Sequence, residues 1–250
     1  MAAADDRRIY RITGPDRISF LQGLVSNDVR RLAEGPVYAA LLTPQGKYLA
    51  DFLLVPAGEA ILLDVKAELA EALARRLAMY RLRADVQIAP TELKLRRGLG
   101  APPAGAVTDP RHPALGWRLY TETPETLPAE PVDWDAIRVE HAIPESGIEL
   151  IPDESYILEA GFERLNGVDF RKGCYVGQEV TARMKHKTEL RKGLAQVRVE
   201  GAAPPGTPIL AGEKEAGVLF TQAGGRGLAH LRFDRAQGEM QAGAAKVALA

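Results

Sequence analysis

Only one cysteine, Cys174, occurs among the 250 residues. A lone thiol cannot close an intramolecular disulfide or form a Cys-x-x-Cys pair. Nor can it alone hold an iron–sulfur cluster, which takes about four protein ligands. A reducing, cytoplasmic setting is the expectation, with no metal site in the chain itself. Long hydrophobic runs are also missing. Tyr38 to Leu42 and Ala60 to Leu63 are among the longest, far short of the roughly 18 residues that span a bilayer, so no membrane partner is expected. Met1 to Arg8 carries charge with no apolar stretch behind it, and no secretory signal is read there. Neither charge is in excess: 32 Lys+Arg stand against 33 Asp+Glu, for a net charge of -1. Without a global positive field, direct nucleic-acid binding is not expected, although a local basic patch stays open.

What is present is a globular composition, 46% hydrophobic and 26% charged. At about 150 residues per domain the chain makes one to two domains, and such chains bury roughly 70–75% of their unfolded surface. Residues 9 to 14 read as a strand ending in a turn at Gly14-Pro15. Asp16 then caps a helix whose apolar face is Ile18, Phe20, Leu21, Leu24 and Val25. Tyr38 to Leu42 and Lys47 to Val55 read as strands joined by the turn Thr43-Pro44-Gln45-Gly46, with another strand at Ala60 to Asp64. The clearest helix is Val65 to Tyr80, with Leu69, Leu73 and Leu77 at four-residue spacing. Ala84 to Ala89 and Glu92 to Arg97 are extended again. Strands interleaved with one or two packed helices point to an α+β fold, not a parallel doubly wound sheet.

Seven prolines from Pro102 to Pro131, Pro124 and Pro128 among them, break the next stretch into an irregular connection with one strand near Gly116 to Thr121. Asp133 caps a helix to His141. Beyond Arg191 the texture changes to short strand-like pieces: Gly193 to Val199, Pro208 to Leu210, Ala216 to Thr221, Gly227 to Leu231 and Lys246 to Leu249. These predict a small antiparallel barrel or sandwich over residues 191–250, behind a first region of residues 1–190.

The sharpest local feature is Arg171-Lys172-Gly173-Cys174-Tyr175-Val176-Gly177-Gln178-Glu179. Glycines flank the thiol, and a helix is expected from Val176 to Met184. A thiol near a helix N-terminus beside Lys172 and Arg171 is stabilised as thiolate; the alternative is an ordinary packed cysteine. From Arg171 to Lys192 the chain carries Arg171, Lys172, Arg183, Lys185, Lys187, Arg191, Lys192 and His186 against Glu179 and Glu189. Such a field suits an anionic ligand or an RNA backbone, or is simply a solvated surface.

Lys-Gly-Cys-Tyr-Val-Gly-Gln-Glu resembles the signature of the YgfZ-type folate-binding proteins. These are relatives of the T-protein (aminomethyltransferase) of glycine cleavage and include a mitochondrial iron–sulfur assembly factor. Further pieces follow the family's order: Gly14-Pro15-Asp16, Phe20-Leu21-Gln22-Gly23-Leu24, Asn27-Asp28, Thr43-Pro44-Gln45-Gly46-Lys47, Tyr80 to Val86, Arg138-Val139-Glu140, Ile143-Pro144-Glu145 and Leu158 to Phe162. The resemblance implies a cloverleaf of two α+β, ferredoxin-like lobes and a C-terminal antiparallel β-barrel around a central channel that binds tetrahydrofolate, polyglutamated forms included. It also implies support for assembly or repair of iron–sulfur enzymes, tRNA-modifying ones among them.

By the same resemblance Cys174 is the functional thiol, and Glu140 stands where the T-protein glutamate holds the pterin. A carboxylate suits that task because it accepts two parallel hydrogen bonds from an aminopyrimidinone edge. The bland reading of Glu140 is a surface glutamate paired with Arg138. Asp51, Arg138, Lys172, Tyr175 and Gln178 complete the expected folate-site residues. T-proteins carry an Asp-Asp pair where this chain has Ala50-Asp51, so glycine-cleavage activity is not expected. An aminomethyl or one-carbon transferase is the alternative function. An RNA-binding module is a further one, without the aromatic-rich strands of an RRM.

Overall fold

The computed structural model describes residues 6–123, 131–187 and 190–250. Pro124, Pro128, Glu189 and the start of the N-terminus lie outside the described residues, as does the Lys187 side chain. Two compact units are present, one of Met1–Val132 with Glu163–Gln178, the other of Asp133–Phe162 with Glu179–Ala250.

In chain order the first unit runs β1 (Arg7–Thr13), α1 (Arg17–Gln22), β2 (Val37–Leu42), β3 (Tyr48–Ala57), β4 (Ala60–Lys66), α2 (Ala67–Arg81), β5 (Gln87–Pro90), β6 (Lys94–Gly98), β7 (Val107–Thr108) and β8 (Trp117–Thr121). Five strands form an antiparallel sheet in the order β2-β3-β4-β1-β5, and three form a second in the order β6-β8-β7. Every residue of β2 is buried, so its two faces both lie in the interior, as its unbroken apolar run requires. Ile12, Leu41, Phe52, Leu54 and Leu63 pack with Ala70, Leu73 and Leu77 of α2. Burying each such Leu, Ile or Phe contributes about 1.5–3 kcal/mol.

Two boundaries differ from expectation for one reason, tertiary pairing. Val65 sits in the ladder between Arg8 and Phe52, so β4 takes it and α2 starts at Ala67. Helix α1 ends at Gln22 because Val25 bridges to Leu41 and the Ser26 amide bonds the Ala40 carbonyl. Asp16 does precede α1, yet its carboxylate accepts the Asp85 amide at 2.8 Å and caps no helical N–H.

Buried charges join the two sheets, an arrangement absent from the sequence reading. Asp64 of β4 accepts from Arg7 Nε at 2.7 Å, from Arg118 Nη2 of β8 at 2.5 Å and from the Tyr120 hydroxyl at 2.8 Å. Arg118 also reaches Asp109 at 3.0 Å, and Asp109 pairs with Arg111 at 2.8 Å. Its signal in the sequence was a lone aspartate inside the apolar run of β4.

The other elements are α3 (Trp134–Glu140), α4 (Gln178–Lys187), β9 (Lys192–Glu200), β10 (Thr207–Ala211), β11 (Lys214–Ala223), β12 (Arg226–Arg232), β13 (Met240–Ala242) and β14 (Ala245–Leu249). Asp133 caps α3 as expected, accepting the Ala136 amide at 2.9 Å. The six strands close into an antiparallel barrel in the order β10-β11-β12-β9-β14-β13. Val197, Ile209, Leu219, Leu231, Met240 and Val247 fill it. Strand β13 has only three residues, too short for a periodic signal, and closure supplies its two partners.

Candidate functional site

The segment before the cysteine is tied to β2 by Ser26, which sequence reasoning did not single out, and by Asn27, named there only as part of a family motif. Ser26 Oγ donates to the Gly167 carbonyl at 2.6 Å and accepts the Ala40 amide at 2.9 Å. Asn27 Nδ2 donates to the carbonyls of Tyr38 and Asn166 at 2.8 and 2.6 Å. Asp169 bonds the Ser26 carbonyl through its amide, and its carboxylate accepts the Arg171 amide at 2.7 Å and the Lys172 amide at 3.2 Å. That Asx-type turn launches the Cys174 loop.

Lys172 is 3% exposed. Its Nζ donates to the carbonyls of Gln22, the last residue of α1, at 2.7 Å and of Val25, just past it, at 2.5 Å, and lies 4.9 Å from the Tyr175 ring centroid. Carbonyls at a helix C-terminus attract a cation, which is why the ammonium turns inward. Burial pulls its pKa down to about 8 against the opposing pull of Asp28 and Asp169. Lys172 was expected to act as a cation beside the thiol or as a ligand contact; instead its charge serves the α1 carbonyls. Tyr175 is buried with it, while Cys174 and Arg171 face solvent. A Cβ on Gly173 would meet nothing within 4 Å, so the thiol is uncrowded on that side. A packed core cysteine is excluded.

Gly177 adopts φ +83°, and a Cβ there would lie 2.6 Å from the Thr43 carbonyl oxygen. The cysteine loop therefore presses on the Thr43–Gly46 hairpin, joining two motifs far apart in sequence. This left-handed turn delays α4 to Gln178, two residues later than expected, and the Gln178 amide bonds the Tyr175 carbonyl at 3.2 Å.

Asp51, on β3, is buried, with its carboxylate accepting the hydroxyls of Tyr48 at 2.7 Å and Tyr38 at 3.0 Å. The Arg111 guanidinium lies 5.6 Å from the Tyr38 ring centroid. Burial and the nearby Asp51 charge push the Tyr38 hydroxyl well above its ordinary pKa, so it stays a protonated donor.

In the second unit Arg138 is a buried hub. It donates to Glu149 at 3.0 Å, Asp135 at 2.9 Å, the Thr221 hydroxyl at 2.9 Å and the Ile143 carbonyl at 3.2 Å. Glu149 in turn accepts the amides of Glu145 at 2.9 Å and Thr221 at 3.2 Å. Arg138 therefore braces α3 against β11 and is not the partner of Glu140. The Gln196 amide group donates to the carbonyls of Val139 and Glu140 and so caps α3. Glu140 is exposed at that end, and its carboxylate has no hydrogen-bond or ion-pair partner among the described residues.

Among the described residues no group of three or more His, Cys, Asp or Glu is placed to hold a metal ion. No helix there is long and apolar enough to cross a membrane.

Residues 191–250 match the family model of the CAF17 C-terminal beta-barrel domain. Across 94% of the chain and 78% of the relative, the sequence is 32% identical to the mitochondrial iron–sulfur cluster assembly factor IBA57 of Mus musculus. The human protein of that name is 33% identical, over 98% of the chain and 82% of the relative. Among solved structures, the glycine cleavage system aminomethyltransferase T of Bartonella henselae superposes with a TM-score of 0.77. It does so at 16% identity, covering 98% of this chain and 82% of the other, a likeness of fold alone. The α+β expectation with a C-terminal barrel holds. A cytoplasmic setting does not, because these relatives are named as mitochondrial; a lone thiol calls only for reducing surroundings and does not choose the compartment. With a third of its residues shared along almost its whole length, the chain belongs to the family of the iron–sulfur cluster assembly factor IBA57.

Proposed function

We propose that this chain is an iron–sulfur cluster assembly factor that binds tetrahydrofolate and acts through the Cys174 thiol, serving enzymes that carry such clusters, tRNA-modifying ones among them. The observation that carries this reading is its likeness, over nearly the entire chain, to relatives named for cluster assembly. One exposed cysteine supplies at most one cluster ligand of about four. Cys174 therefore works on a cluster whose other ligands belong to a partner.

Folate is supported by the state of Glu140. A carboxylate at a helix C-terminus opposes the helix dipole, and that of Glu140 has no hydrogen-bond or ion-pair partner among the described residues. Two parallel N–H donors of a reduced pterin supply what it lacks. Arg138 keeps the α3 end in place beneath it. The transferase alternative has weaker support: Asp51 is held between two tyrosine hydroxyls, and Ala50 stands where a second carboxylate would act.

Calorimetry with tetrahydrofolate tests the ligand. Glu140→Ala should weaken binding by about 2–4 kcal/mol with the fold intact. Equal affinity in the variant would remove Glu140 from the site, and no heat with the wild type would remove folate. The thiol is tested separately: Cys174→Ala should fail to restore cluster-enzyme activity in cells lacking the relative. Full restoration would end its functional role.

A further inference from the structure

Helix α2 buries Ala70, Leu73 and Leu77 and leaves Arg75, Arg76 and Met79 exposed on another face of its C-terminal half. Met79 is 69% exposed and Leu82, immediately after the helix, is 90% exposed. No other buried-or-exposed large hydrophobic among the described residues is so open; Leu99 follows at 46%. Leu82 also holds φ +39° and ψ -99°, a conformation costly for a leucine, where glycine would close the turn with less strain. Arg75, Arg76 and Met79 share one helix face by their spacing, and Arg83 follows Leu82 in the closing turn; all five side chains are exposed. Arg75 meets Glu71 only loosely, at 3.4 Å on an exposed face. Arg76 and Arg83 have no hydrogen-bond or ion-pair partner among the described residues. From Ala67 to Val86 every basic residue is arginine and none is lysine.

That composition points to a protein partner. Arginine and methionine are enriched in protein interfaces and lysine is depleted, because the guanidinium is weakly hydrated and pairs with carboxylates in a fixed fork. A membrane surface would call for a longer apolar face than two side chains. Single-stranded RNA would call for an exposed aromatic platform, and Tyr80 is half-buried.

We propose that the C-terminal end of α2 docks an acidic protein surface, with Met79 and Leu82 as apolar anchors and Arg75, Arg76 and Arg83 pairing with its carboxylates. This site is independent of Cys174 and Glu140, and the folate experiment does not bear on it.

Photocrosslinking tests it, with p-benzoyl-phenylalanine in place of Met79 in the full chain inside cells. The crosslinked peptide, mapped by mass spectrometry, should come from a protein segment rich in Asp and Glu. Arg76→Glu with Arg83→Glu should lower the yield at least tenfold, and mutating the mapped carboxylates to lysine should restore it. Arg76→Gln with Arg83→Gln, which adds no repulsion and keeps the surface polar, should give an intermediate loss at an unchanged melting temperature. Crosslinks only to lipid, crosslinks removed by ribonuclease, a yield indifferent to charge reversal, or no crosslink at all would each overturn the proposal.

Discussion

The Nζ of Lys172 lies 4.9 Å from the centre of the Tyr175 ring, so two side chains flanking Cys174 turn inward together while the thiol between them stays in solvent. The ammonium has three N–H bonds and three takers: the carbonyls of Gln22 and Val25 and the face of that ring. One buried charge thereby fastens the cysteine loop to the end of α1.

Lys172→Met should leave those two carbonyls unpaired and lower stability at pH 7 by about 1–3 kcal/mol. The pH dependence has a definite sign. With a folded pKa of about 8 against an ordinary value of 10.5, the unfolded chain holds the extra proton between those values. The wild type should therefore gain stability relative to Lys172→Met as pH rises from 8 to 10.5, by about 2 kcal/mol after allowance for solvent screening, and lose it again on return to pH 8. Urea melts of both proteins across that range measure it, and parallel curves would show that Lys172 keeps its proton.

Cys174 should be alkylated by iodoacetamide in the native protein, because its side chain is exposed and Gly173 leaves it uncrowded. Cys174→Ser should change unfolding free energy by no more than about 0.5 kcal/mol. Intact-mass spectrometry of native and denatured protein compares the rates; a thiol that reacts only after denaturation would contradict the exposed loop.

Asp64→Asn should destabilise the fold by about 3–5 kcal/mol, since Arg7 and Arg118 would lose a shared buried counter-charge. Burial alone would raise the Asp64 carboxyl, but the two arginines overcome it and hold the pKa at about 2. A depressed carboxylate stabilises above its unfolded pKa of 3.8, and that contribution, about 2 kcal/mol, disappears as pH falls through 2. The acid limb of the stability curve should flatten in Asp64→Asn relative to wild type, as read from chemical denaturation between pH 5 and pH 2 in steps of about half a unit.

Gly177→Ala should cost about 1–3 kcal/mol, because its φ of +83° is strained for alanine and the methyl would meet the Thr43 carbonyl at 2.6 Å. Amide exchange should quicken in both the Thr43–Gly46 turn and the cysteine loop. Loosening of one without the other would show that they do not share this contact.

Local chemistry made much of this protein legible from its residues alone. Alternating and continuous apolar runs announced β2, β3 and β4, leucines at four-residue spacing announced α2, and Gly/Pro punctuation announced most of the barrel strands, because each signal depends on near neighbours in the chain. Tertiary structure decided what no local pattern could carry. Lys172 reaches Gln22 and Val25 across about 150 residues of sequence, Arg118 finds Asp64 across 54, and Arg138 finds Thr221 across 83. Residue types alone offered Lys172 to a ligand or a thiol and Arg138 to a ligand, and gave Arg118 no role. Removal from water bound them to whichever carboxylates and carbonyls the fold had buried beside them, because a charge taken out of solvent must be paired where it lies.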